Sequence, residues 1–408
     1  MEIQLKYGSG EITLPLPPGA EELKHTEPEV TVDPDKVRRD IHAYLYSINR
    51  QVKDVGIVVS DKTRLCQFPL FLPVIAGAFE EYGVKKEDIT FYIAYGTHPR
   101  QTEEECLNSY GEIYNQYRFV HHDSRDEGVM ETVGTTSRGT VVKVHRAVLR
   151  HDLLVTFGAI LHHYFAGFGG GRKLLFPGMA AYDSILKNHS LFLDFEKKEL
   201  REGCQSGNLN TNPLALDLEE IDGMLPPRFE IHGILNSCRE VCEIHFGLHY
   251  NHFRDACDRY DHYFRTGGEK RYDLVAASAG GYPKDINYIQ AHKSIHNAAS
   301  FVKDGGTLLI LAECRDGIGN QAFMELFHLG GWDAIFGAME KEYRNNAGTA
   351  LATIRKSRRI SIRFVTSLDE ATCDLMGMVR TSEEEARELV AAASGEVAWI
   401  GNASLLYQ

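Results

Sequence analysis

The fold is decided by the stretch Leu161-His162-His163-Tyr164-Phe165-Ala166-Gly167-Phe168-Gly169-Gly170-Gly171-Arg172-Lys173, which continues as Leu174-Leu175-Phe176-Pro177-Gly178. The apolar run before it, residues 153–160, predicts a buried strand. Glycine is used where the backbone must adopt a positive φ or approach another group closely. Because the amide groups of a glycine-rich turn after a strand can converge on an anion, the stretch predicts a phosphate-binding turn. The histidines before the turn and the lysine after it predict chemistry as well as binding.

Two familiar phosphate-binding loops do not match this stretch. A Walker A loop that began at Gly167 would need glycine where Arg172 stands, and Ser or Thr where Leu174 stands. A dinucleotide-binding fingerprint starts correctly at Gly167 and Gly169, but its third glycine would again fall on Arg172. The turn is therefore expected to serve a different phosphorylated ligand.

Composition restricts the class of protein. A chain of 408 residues predicts two or three domains, and a formal net charge of −13 argues against a general role on nucleic acids or membrane surfaces. The eight cysteines are scattered without a Cys-x-x-Cys motif, so reduced thiols are expected and no structural zinc site is predicted. The N-terminus lacks the basic and apolar regions of a signal peptide, and no apolar run approaches the roughly 20 residues of a membrane span. We expect a cytoplasmic protein.

Polar side chains follow three predicted strands of the first half. Asp61 and Arg64 follow the strand at 55–59, and His98 follows the strand at 89–94. The central stretch follows the strand at residues 153–157. Because ligands of open α/β sheets bind beyond the carboxyl ends of the strands, these three clusters are expected to form one site.

The predicted fold class is α/β, with two domains that each contain a mainly parallel sheet flanked by helices. We place the N-terminal cofactor-binding and catalytic domain at residues 1–266 and a doubly wound C-terminal domain at residues 267–408, whose last residues are able to pack back on the N-terminal domain. The active site is expected in the cleft between the domains. Residues 200–227 are polar with several turns, which suggests a lid or arm.

The motifs, taken in order, resemble those of the nickel-dependent lactate racemase family. They are Asp61-x-Thr63-Arg64, Gly96-Thr97-His98, His163-x-x-Ala166-Gly167-x-Gly169-Gly170-Gly171-x-Lys173 with Pro177-Gly178, Asn188-His189, and Gln290-x-x-Lys293. Members of this family are racemases and epimerases of 2-hydroxy acids that carry a nickel-pincer nucleotide. The motifs run from residue 61 to residue 293, and the domain pattern extends the resemblance to the whole chain.

The resemblance implies a covalent cofactor. This cofactor is a pyridinium-3-thioamide-5-thiocarboxylic acid mononucleotide that holds nickel, and Lys173 would be its attachment residue. His189 would complete the nickel coordination. The further cofactor-binding residues would be Thr63, Gly167, Gly169, Gly170 and Gly171.

The resemblance also implies roles around the substrate. His98 and His163 would act as the alternating general base and acid. Arg64 and Lys293 would hold the carboxylate and oxygen of the substrate, with Asp61 orienting the arginine or a histidine and Gln290 lining the site from the second domain. The implied partners are a small 2-hydroxy acid and the proteins that synthesise the cofactor. The assembly considered is a homodimer.

The residue types suit this chemistry without the analogy. The Cα proton of a 2-hydroxy acid is only weakly acidic, and moving a hydride avoids a carbanion. The hydroxyl proton must then leave at the same time, which calls for a neutral imidazole nearby. A racemase that works in both directions needs two such histidines, and an arginine suits the carboxylate because its planar fork binds both oxygens. We expect an apolar pocket for the substrate side chain, formed by Tyr164, Phe165, Phe168 and Tyr182.

Several alternatives remain open from the residues alone. Lys173 would otherwise be a phosphate-binding lysine, and either His162 or His163 would be a structural partner of the other. One alternative function is a zinc-type hydrolase or lyase built on His98, His163 and His189. Another is a non-catalytic protein that binds a nucleotide cofactor. The identity of the 2-hydroxy acid is not decided, because Arg172 would also suit a second carboxylate.

Overall fold

The computed structural model describes residues 2–266 and 268–408, so Gly267, the first residue of the predicted C-terminal domain, lies outside the described residues. The chain forms two compact units. The unit that we call N-terminal comprises Glu27–Leu191 and Glu202–Tyr263. The C-terminal unit comprises the described residues of Met1–Thr26, Phe192–Arg201 and Phe264–Gln408. The second unit thus begins its long segment close to the predicted boundary, but it also includes two earlier segments of the chain.

The strands of the described residues are β1 (Glu2–Tyr7), β2 (Gly10–Pro15), β3 (Glu21–Glu22), β4 (Val55–Ser60), β5 (Ile89–Ala94), β6 (Arg118–His121), β7 (Met130–Thr135), β8 (Val141–His145), β9 (Leu153–Ala159), β10 (Leu161–His163), β11 (Gly167–Gly169), β12 (Leu193–Asp194), β13 (Glu199–Leu200), β14 (Phe229–Leu235), β15 (Val241–Gly247), β16 (Tyr272–Ser278), β17 (Val302–Leu311), β18 (Ser361–Val365), β19 (Val379–Arg380) and β20 (Val397–Ile400).

The α-helices of the described residues are α1 (Pro34–Ser47), α2 (Phe68–Tyr82), α3 (Glu103–Tyr110), α4 (Ile113–Gln116), α5 (Tyr182–Ser190), α6 (Pro213–Met224), α7 (His249–Phe264), α8 (Tyr288–Ala299), α9 (Gln321–Phe327), α10 (Trp332–Lys341), α11 (Ala347–Arg359), α12 (Glu370–Leu375) and α13 (Glu383–Ala391). None of these helices is long and apolar enough to cross a membrane.

The sheet of the N-terminal unit has the strand order β15-β14-β9-β4-β5-β6. Its strands are parallel except for β15, which pairs antiparallel with β14. Every residue of β4 and β9 is buried, as expected for parallel strands covered on both faces. Helix α2 covers one face, where the rings of Phe68 and Phe71 meet Phe157 edge-on at 5.5 and 6.1 Å between centroids.

The chain enters this sheet at β4, adds β5 and β6 on one side, and then returns to add β9 and β14 on the other. The strand order therefore reverses between β4 and β9. In an open α/β sheet, this reversal opens a crevice beyond the carboxyl ends of the two strands. The predicted site residues after β4, β5 and β9 all belong to this edge of the sheet.

The sheet of the C-terminal unit has the order β19-β18-β17-β16-β20-β3 and is parallel throughout. The corresponding crevice, between β16 and β20, receives the hairpin of β1 and β2. Ser278 at the end of β16 donates from its hydroxyl to the carbonyl of Lys6 at 2.5 Å, and the amide of Tyr282 donates to the carbonyl of Gly8 at 2.7 Å. Protein backbone thus occupies the place where such a sheet usually binds its ligand.

The predicted α/β class, with two units built around mainly parallel sheets, is confirmed. Two local features were not predicted, and the role of residues 200–227 as a lid or arm stays a prediction. The stretch after β9 is a hairpin of β10 and β11 and not an open turn. The polar segment at 200–227 contains helix α6, which begins with Asn212 as its N-cap and Pro213 in its first turn.

Candidate active site

The crevice between β4 and β9 is flanked by three polar loops, which follow β4, β5 and β9. Asp61 comes directly after β4, His98 lies four residues beyond the end of β5, and His163 ends β10, the strand that follows β9. The loop after β5 is joined to the far end of the central stretch, because the amide of Gly96 donates to the carbonyl of Gly178 at 2.9 Å. The topology of the sheet therefore brings three sequence-predicted clusters to one edge.

His98 and Asp61 form a hydrogen-bonded pair. The Nδ1 atom of His98 lies 2.5 Å from Oδ2 of Asp61, whose side chain is 3% exposed, whereas the His98 side chain is 38% exposed. Because an ionised carboxylate only accepts hydrogen bonds, the proton is assigned to Nδ1. In the neutral ring the Nε2 atom of His98 therefore carries the lone pair.

The other partners of Asp61 stabilise its ionised form. Its Oδ1 atom accepts from the amide of Thr63 at 2.9 Å and from the Thr63 hydroxyl at 2.6 Å. Burial by itself raises the pKa of the Asp61 carboxyl. The hydrogen bond from His98 and the positive charges of His98 and Arg64 outweigh this effect and hold that pKa well below its usual range. The guanidinium of Arg64 donates to the Thr63 hydroxyl at 3.2 Å.

The hairpin of β10 and β11 separates the two adjacent histidines. Successive side chains of a strand point to opposite faces. The ring of His162 is hydrogen-bonded to Asp261 and packs against Phe168 and Tyr260 at 5.3 and 4.9 Å. His163 has a different set of ring neighbours, Tyr164 and Phe165. The contacts of His162 with Asp261, Phe168 and Tyr260 indicate a structural role for this histidine.

Phe165, at the tip of the hairpin, is the side chain that connects the remaining predicted residues. Its ring lies 4.6 Å from the ring of His163 and 5.2 Å from that of His189, both edge-on. The Nζ atom of Lys173 lies 5.7 Å from the centre of the same ring. The Nδ1 atom of His163 accepts a long hydrogen bond, 3.3 Å, from the amide of Ala166. The neutral ring of His163 therefore carries its proton on Nε2, opposite to His98.

The hydrogen bond and the burial of the His189 ring suit a metal ligand. Its Nδ1 atom donates to the carbonyl of Ile185 at 2.8 Å, so the lone pair of the neutral ring is on Nε2. Burial of the ring and the nearby charge of Lys173, with smaller contributions from His98 and Arg64, lower the pKa of His189 to about 3. A neutral imidazole whose second nitrogen is fixed by a carbonyl is the form that binds a metal ion. The residues present therefore fit a nickel-bearing group that His189 and Lys173 would hold.

The glycines before Lys173 have packing reasons for their conformations. Gly167, Gly170 and Gly171 adopt positive φ values of 78°, 80° and 51°. A Cβ atom would lie 2.5 Å from the Asn208 carbonyl oxygen at Gly167, 2.2 Å from the Ala159 carbonyl oxygen at Gly170, and 2.3 Å from the Phe253 ring at Gly171. Gly169 lies in β11 without a positive φ. Close approach to backbone at Gly167 and Gly170, and to an aromatic ring at Gly171, thus explains three of these glycines, and their cofactor-binding role stays a prediction.

Two of the predicted substrate residues lie in the C-terminal unit. Gln290 and Lys293 are in the first half of α8, and the Lys293 ammonium donates to the Gln290 side chain at 2.9 Å. Two of the predicted pocket aromatics have other neighbours. Phe168 packs against His162, and the ring of Tyr182 lies 3.7 Å from the guanidinium of Arg125. Tyr164 and Phe165 have rings that contact His163, and their role in a substrate pocket stays a prediction.

Helix α6 supplies two residues that the sequence analysis did not identify. Asn212 is fully buried and donates from its side-chain amide to the carbonyl of Phe165 at 2.8 Å. Asp217 is also fully buried and accepts from the side chain of Asn188 at 2.8 Å. The pair Asn212-Pro213, an N-cap followed by proline, was the available sequence signal for the start of this helix.

The zinc-type alternative has no ligand set in this structure. Over residues 2–266 and 268–408, no group of three His, Cys, Asp or Glu side chains is arranged to hold a metal ion. A nickel ion that took its other ligands from a bound cofactor would need only one protein ligand, and His189 as that ligand stays a prediction.

The fold and the site define a class of protein, a two-unit α/β chain with a histidine–aspartate pair and a glycine-rich stretch that ends at a lysine, beyond the reversal of strand order in its first sheet. Comparison with known sequences identifies the family. Residues 7–200 match the lactate racemase N-terminal domain, and residues 268–346 match the lactate racemase C-terminal domain. The chain belongs to the lactate racemase family, as the motifs predicted.

Two relatives carry the name lactate racemase. The protein of Thermoanaerobacterium thermosaccharolyticum is 32% identical over 276 residues, which are 67% of this chain and 63% of that protein. The protein of Lactiplantibacillus plantarum is 30% identical over 281 residues, which are 68% of this chain and 64% of that protein. Each match therefore spans less than two thirds of the relative.

Solved structures share the fold. The lactate racemase apoprotein from Thermoanaerobacterium thermosaccharolyticum superposes with a TM-score of 0.87 at 24% identity, over 100% of this chain and 99% of that one. A protein from Thermotoga maritima reaches a TM-score of 0.70 at 15% identity, over 94% and 99% of the two chains. At these identities the likeness supports the two-unit architecture of the fold.

Proposed function

We propose that the chain is a racemase or epimerase of a 2-hydroxy acid, lactate or a related 2-hydroxy carboxylate, which uses a nickel-pincer nucleotide tethered to Lys173. The observation that carries the proposal is the arrangement around Phe165, whose ring is flanked by the rings of His163 and His189 and by the Lys173 ammonium. An acid–base residue, a metal ligand and an attachment lysine thus share one aromatic neighbour. When bound, the nucleotide would supply an acceptor for the hydride on the substrate's Cα.

Arg64 would hold the substrate in this site. A carboxylate accepts two parallel hydrogen bonds from a guanidinium, which fixes its orientation as well as its position. Arg64 starts from a conformation held by the Thr63 hydroxyl, and its charge acts on both Asp61 and His189. The positive charge of Arg64 therefore favours the binding of an anionic substrate next to it. Lys293 and Gln290 would complete the substrate site, as the resemblance implies.

His98 would take the hydroxyl proton first. The lone pair on its Nε2 atom is available, and Asp61 stabilises the imidazolium that forms when this nitrogen binds a proton. A buried carboxylate that orients a histidine base in this way also keeps the ring in the correct tautomer.

His163 would act from the other side of the substrate. In its neutral form it offers an N–H at Nε2, which can donate to a carbonyl oxygen. To act as an acid it must bind a second proton at Nδ1. For this, the hydrogen bond from Ala166 to Nδ1 has to be released, and at 3.3 Å that bond is long and therefore weak.

The test has two parts. The chain is produced together with the proteins that make the cofactor, which would be its functional partners, and its mass is measured intact and by peptide mapping. We expect added mass on the Lys173 peptide and none in Lys173→Ala. A modification at another residue would reject the assignment of the attachment site.

Turnover of substrate deuterated at Cα, in ordinary water, tests the chemistry. We expect the product to retain the label, since a hydride returns to the carbon from which it came. Wholesale loss of deuterium to solvent would indicate a carbanion, and binding of the nucleotide without any turnover would favour the alternative of a cofactor-binding protein. A cytoplasmic location and a homodimer stay predictions.

A further inference from the structure

Asp217, in the middle of α6, is a buried carboxylate that is bonded to Asn188, the neighbour of His189 in the chain. It is fully buried and accepts three side-chain hydrogen bonds. The hydroxyls of Thr136 and Thr140 donate at 2.6 and 2.8 Å, and the amide of Asn188 donates at 2.8 Å. A buried carboxylate is tolerated only when such donors replace water. This network therefore joins three separate parts of the N-terminal unit at one side chain.

The network acts on α5, the helix that carries His189. This helix is short, nine residues, and its rotation about its own axis is set by the side chains that it buries. Ser184 and Asn188, which lie one turn apart on the same face, are both buried and hydrogen-bonded. The next residue, His189, has its ring against Phe165. The bond between Asn188 and Asp217 thus fixes the face of α5 from which the imidazole projects.

We propose that Asp217 is a positioning residue for His189, acting through Asn188. Because it concerns the use of His189 as the nickel ligand, this inference rests on the proposed function. Groups that orient a metal ligand from behind commonly change metal affinity or activity by about 10–100-fold when they are removed. Asp217 would act indirectly, because it orients helix α5 through Asn188 and not the imidazole ring of His189 itself.

A purely stabilising role for Asp217 makes a different prediction, and the same helix offers the control. Glu220 lies one turn further along α6 and also binds the segment between β7 and β8. Its carboxylate accepts from the amide and hydroxyl of Ser137 at 2.6 and 2.7 Å. None of the hydrogen bonds of Glu220 in the described part of the chain reaches α5. Glu220→Gln therefore weakens the attachment of α6 to the same segment and leaves Asn188 in place.

The test measures the imidazole of His189 directly in the full-length chain without nickel. Histidine is labelled with nitrogen-15, and a two-bond proton–nitrogen spectrum at about pH 8, above the ordinary histidine pKa of about 6.5, reports which nitrogen carries the proton. His189→Gln assigns the signal. We expect a single Nδ1–H tautomer in the unaltered chain and in Glu220→Gln. In Asp217→Asn and Asn188→Ala, α5 can shift against Phe165, which displaces the His189 ring from the Ile185 carbonyl of its own helix, and we expect at least about 10% of the second tautomer.

A double variant, Asn188→Asp with Asp217→Asn, exchanges the two partners and is expected to restore the single tautomer. An unchanged tautomer in both Asp217→Asn and Asn188→Ala would overturn the proposal. If Asp217→Asn does not fold, Asn188→Ala decides alone, since it leaves Asp217 with its two threonine donors.

Nickel retention in the loaded chain is the second measurement. Under a chelator, we expect Asp217→Asn and Asn188→Ala to lose nickel about 10–100-fold faster while the Lys173 adduct remains. If the unaltered chain carries neither adduct nor nickel, the proposed function fails, and the tautomer measurement still decides the role of Asp217.

Discussion

The Nδ1 atom of His98 lies 2.5 Å from a carboxylate oxygen of Asp61, which is almost completely buried at the end of β4. This pair joins two neighbouring strands of the sheet and fixes which nitrogen of His98 faces away from the carboxylate. The proposed acid–base role of His98 would therefore depend on a residue that does not itself need to touch the substrate.

Asp61→Asn is expected to lower kcat by at least about 100-fold, because the amide can hold the ring in the wrong tautomer and cannot stabilise the imidazolium. The measurement is steady-state racemisation with the cofactor occupancy of Lys173 checked by mass. In a His98→Gln background, the same change should add little, since the two residues act as one unit. Full additive losses in the double variant would contradict a shared role.

Phe165→Leu is expected to change the preference for the substrate side chain. The smaller residue enlarges the space beside His163, so kcat/KM for a 2-hydroxy acid with a larger side chain should rise by about 10-fold relative to lactate. Phe168→Leu is the matched control, because Phe168 packs on the other side of the hairpin against His162. The same ratio of kcat/KM values in both variants would exclude Phe165 from the pocket.

Asn212→Asp separates two functions of one side chain. A carboxylate still accepts from Leu214 and Ala215 as the N-cap of α6, but it cannot donate to the Phe165 carbonyl. We expect the free energy of unfolding to fall by about 1–3 kcal/mol, because a buried acceptor loses its donor.

Hydrogen exchange measures the local effect of this change. The amides at the hairpin tip, residues 163–166, should exchange faster in Asn212→Asp than in Asn212→Ser, which keeps the cap without adding a charge. Equal exchange at the tip in the variant and the unaltered chain would show that Asn212 serves only the helix.

Acidification is expected to destabilise the N-terminal unit through His122. Its ring is buried, with one nitrogen bonded to the Ala180 carbonyl, and burial lowers the pKa of His122 to about 4, with a smaller effect of His145. A folded-state pKa below the unfolded value of about 6.5 means that the unfolded chain binds more protons below that pH. Stability is therefore complete above about pH 6.5 and is lost progressively as the pH falls towards 4.

Between pH 7 and pH 5 this single group should cost about 2 kcal/mol of unfolding free energy, by the linkage relation. His122→Gln, which can still donate to the Ala180 carbonyl, should remove that part of the pH dependence. Denaturant unfolding at the two pH values measures the difference. A variant with the same pH dependence as the unaltered chain would show that other groups control the acid transition.

Sequence alone was sufficient for the features that depend on local pattern. The alternation of apolar strands and amphipathic helices depends only on residues that are close in sequence. The α/β class and the boundaries of most central strands could therefore be predicted. The polar clusters after β4, β5 and β9 could be assigned to one sheet edge because parallel strands end on the same side. The order of the motifs was enough to identify the family.

The contacts between distant residues that support the site could be identified only from the tertiary structure. Asp217 and Thr136 are 81 residues apart, and no spacing rule connects them with Asn188. The hairpin after β9 includes Gly167, where a Cβ atom would meet the carbonyl of Asn208, a residue from a distant part of the chain. The N-terminal residues join the C-terminal unit because the hairpin of β1 and β2 binds beyond the end of β16. Such contacts form between distant parts of the chain, and their energy depends on burial, which a local pattern does not contain.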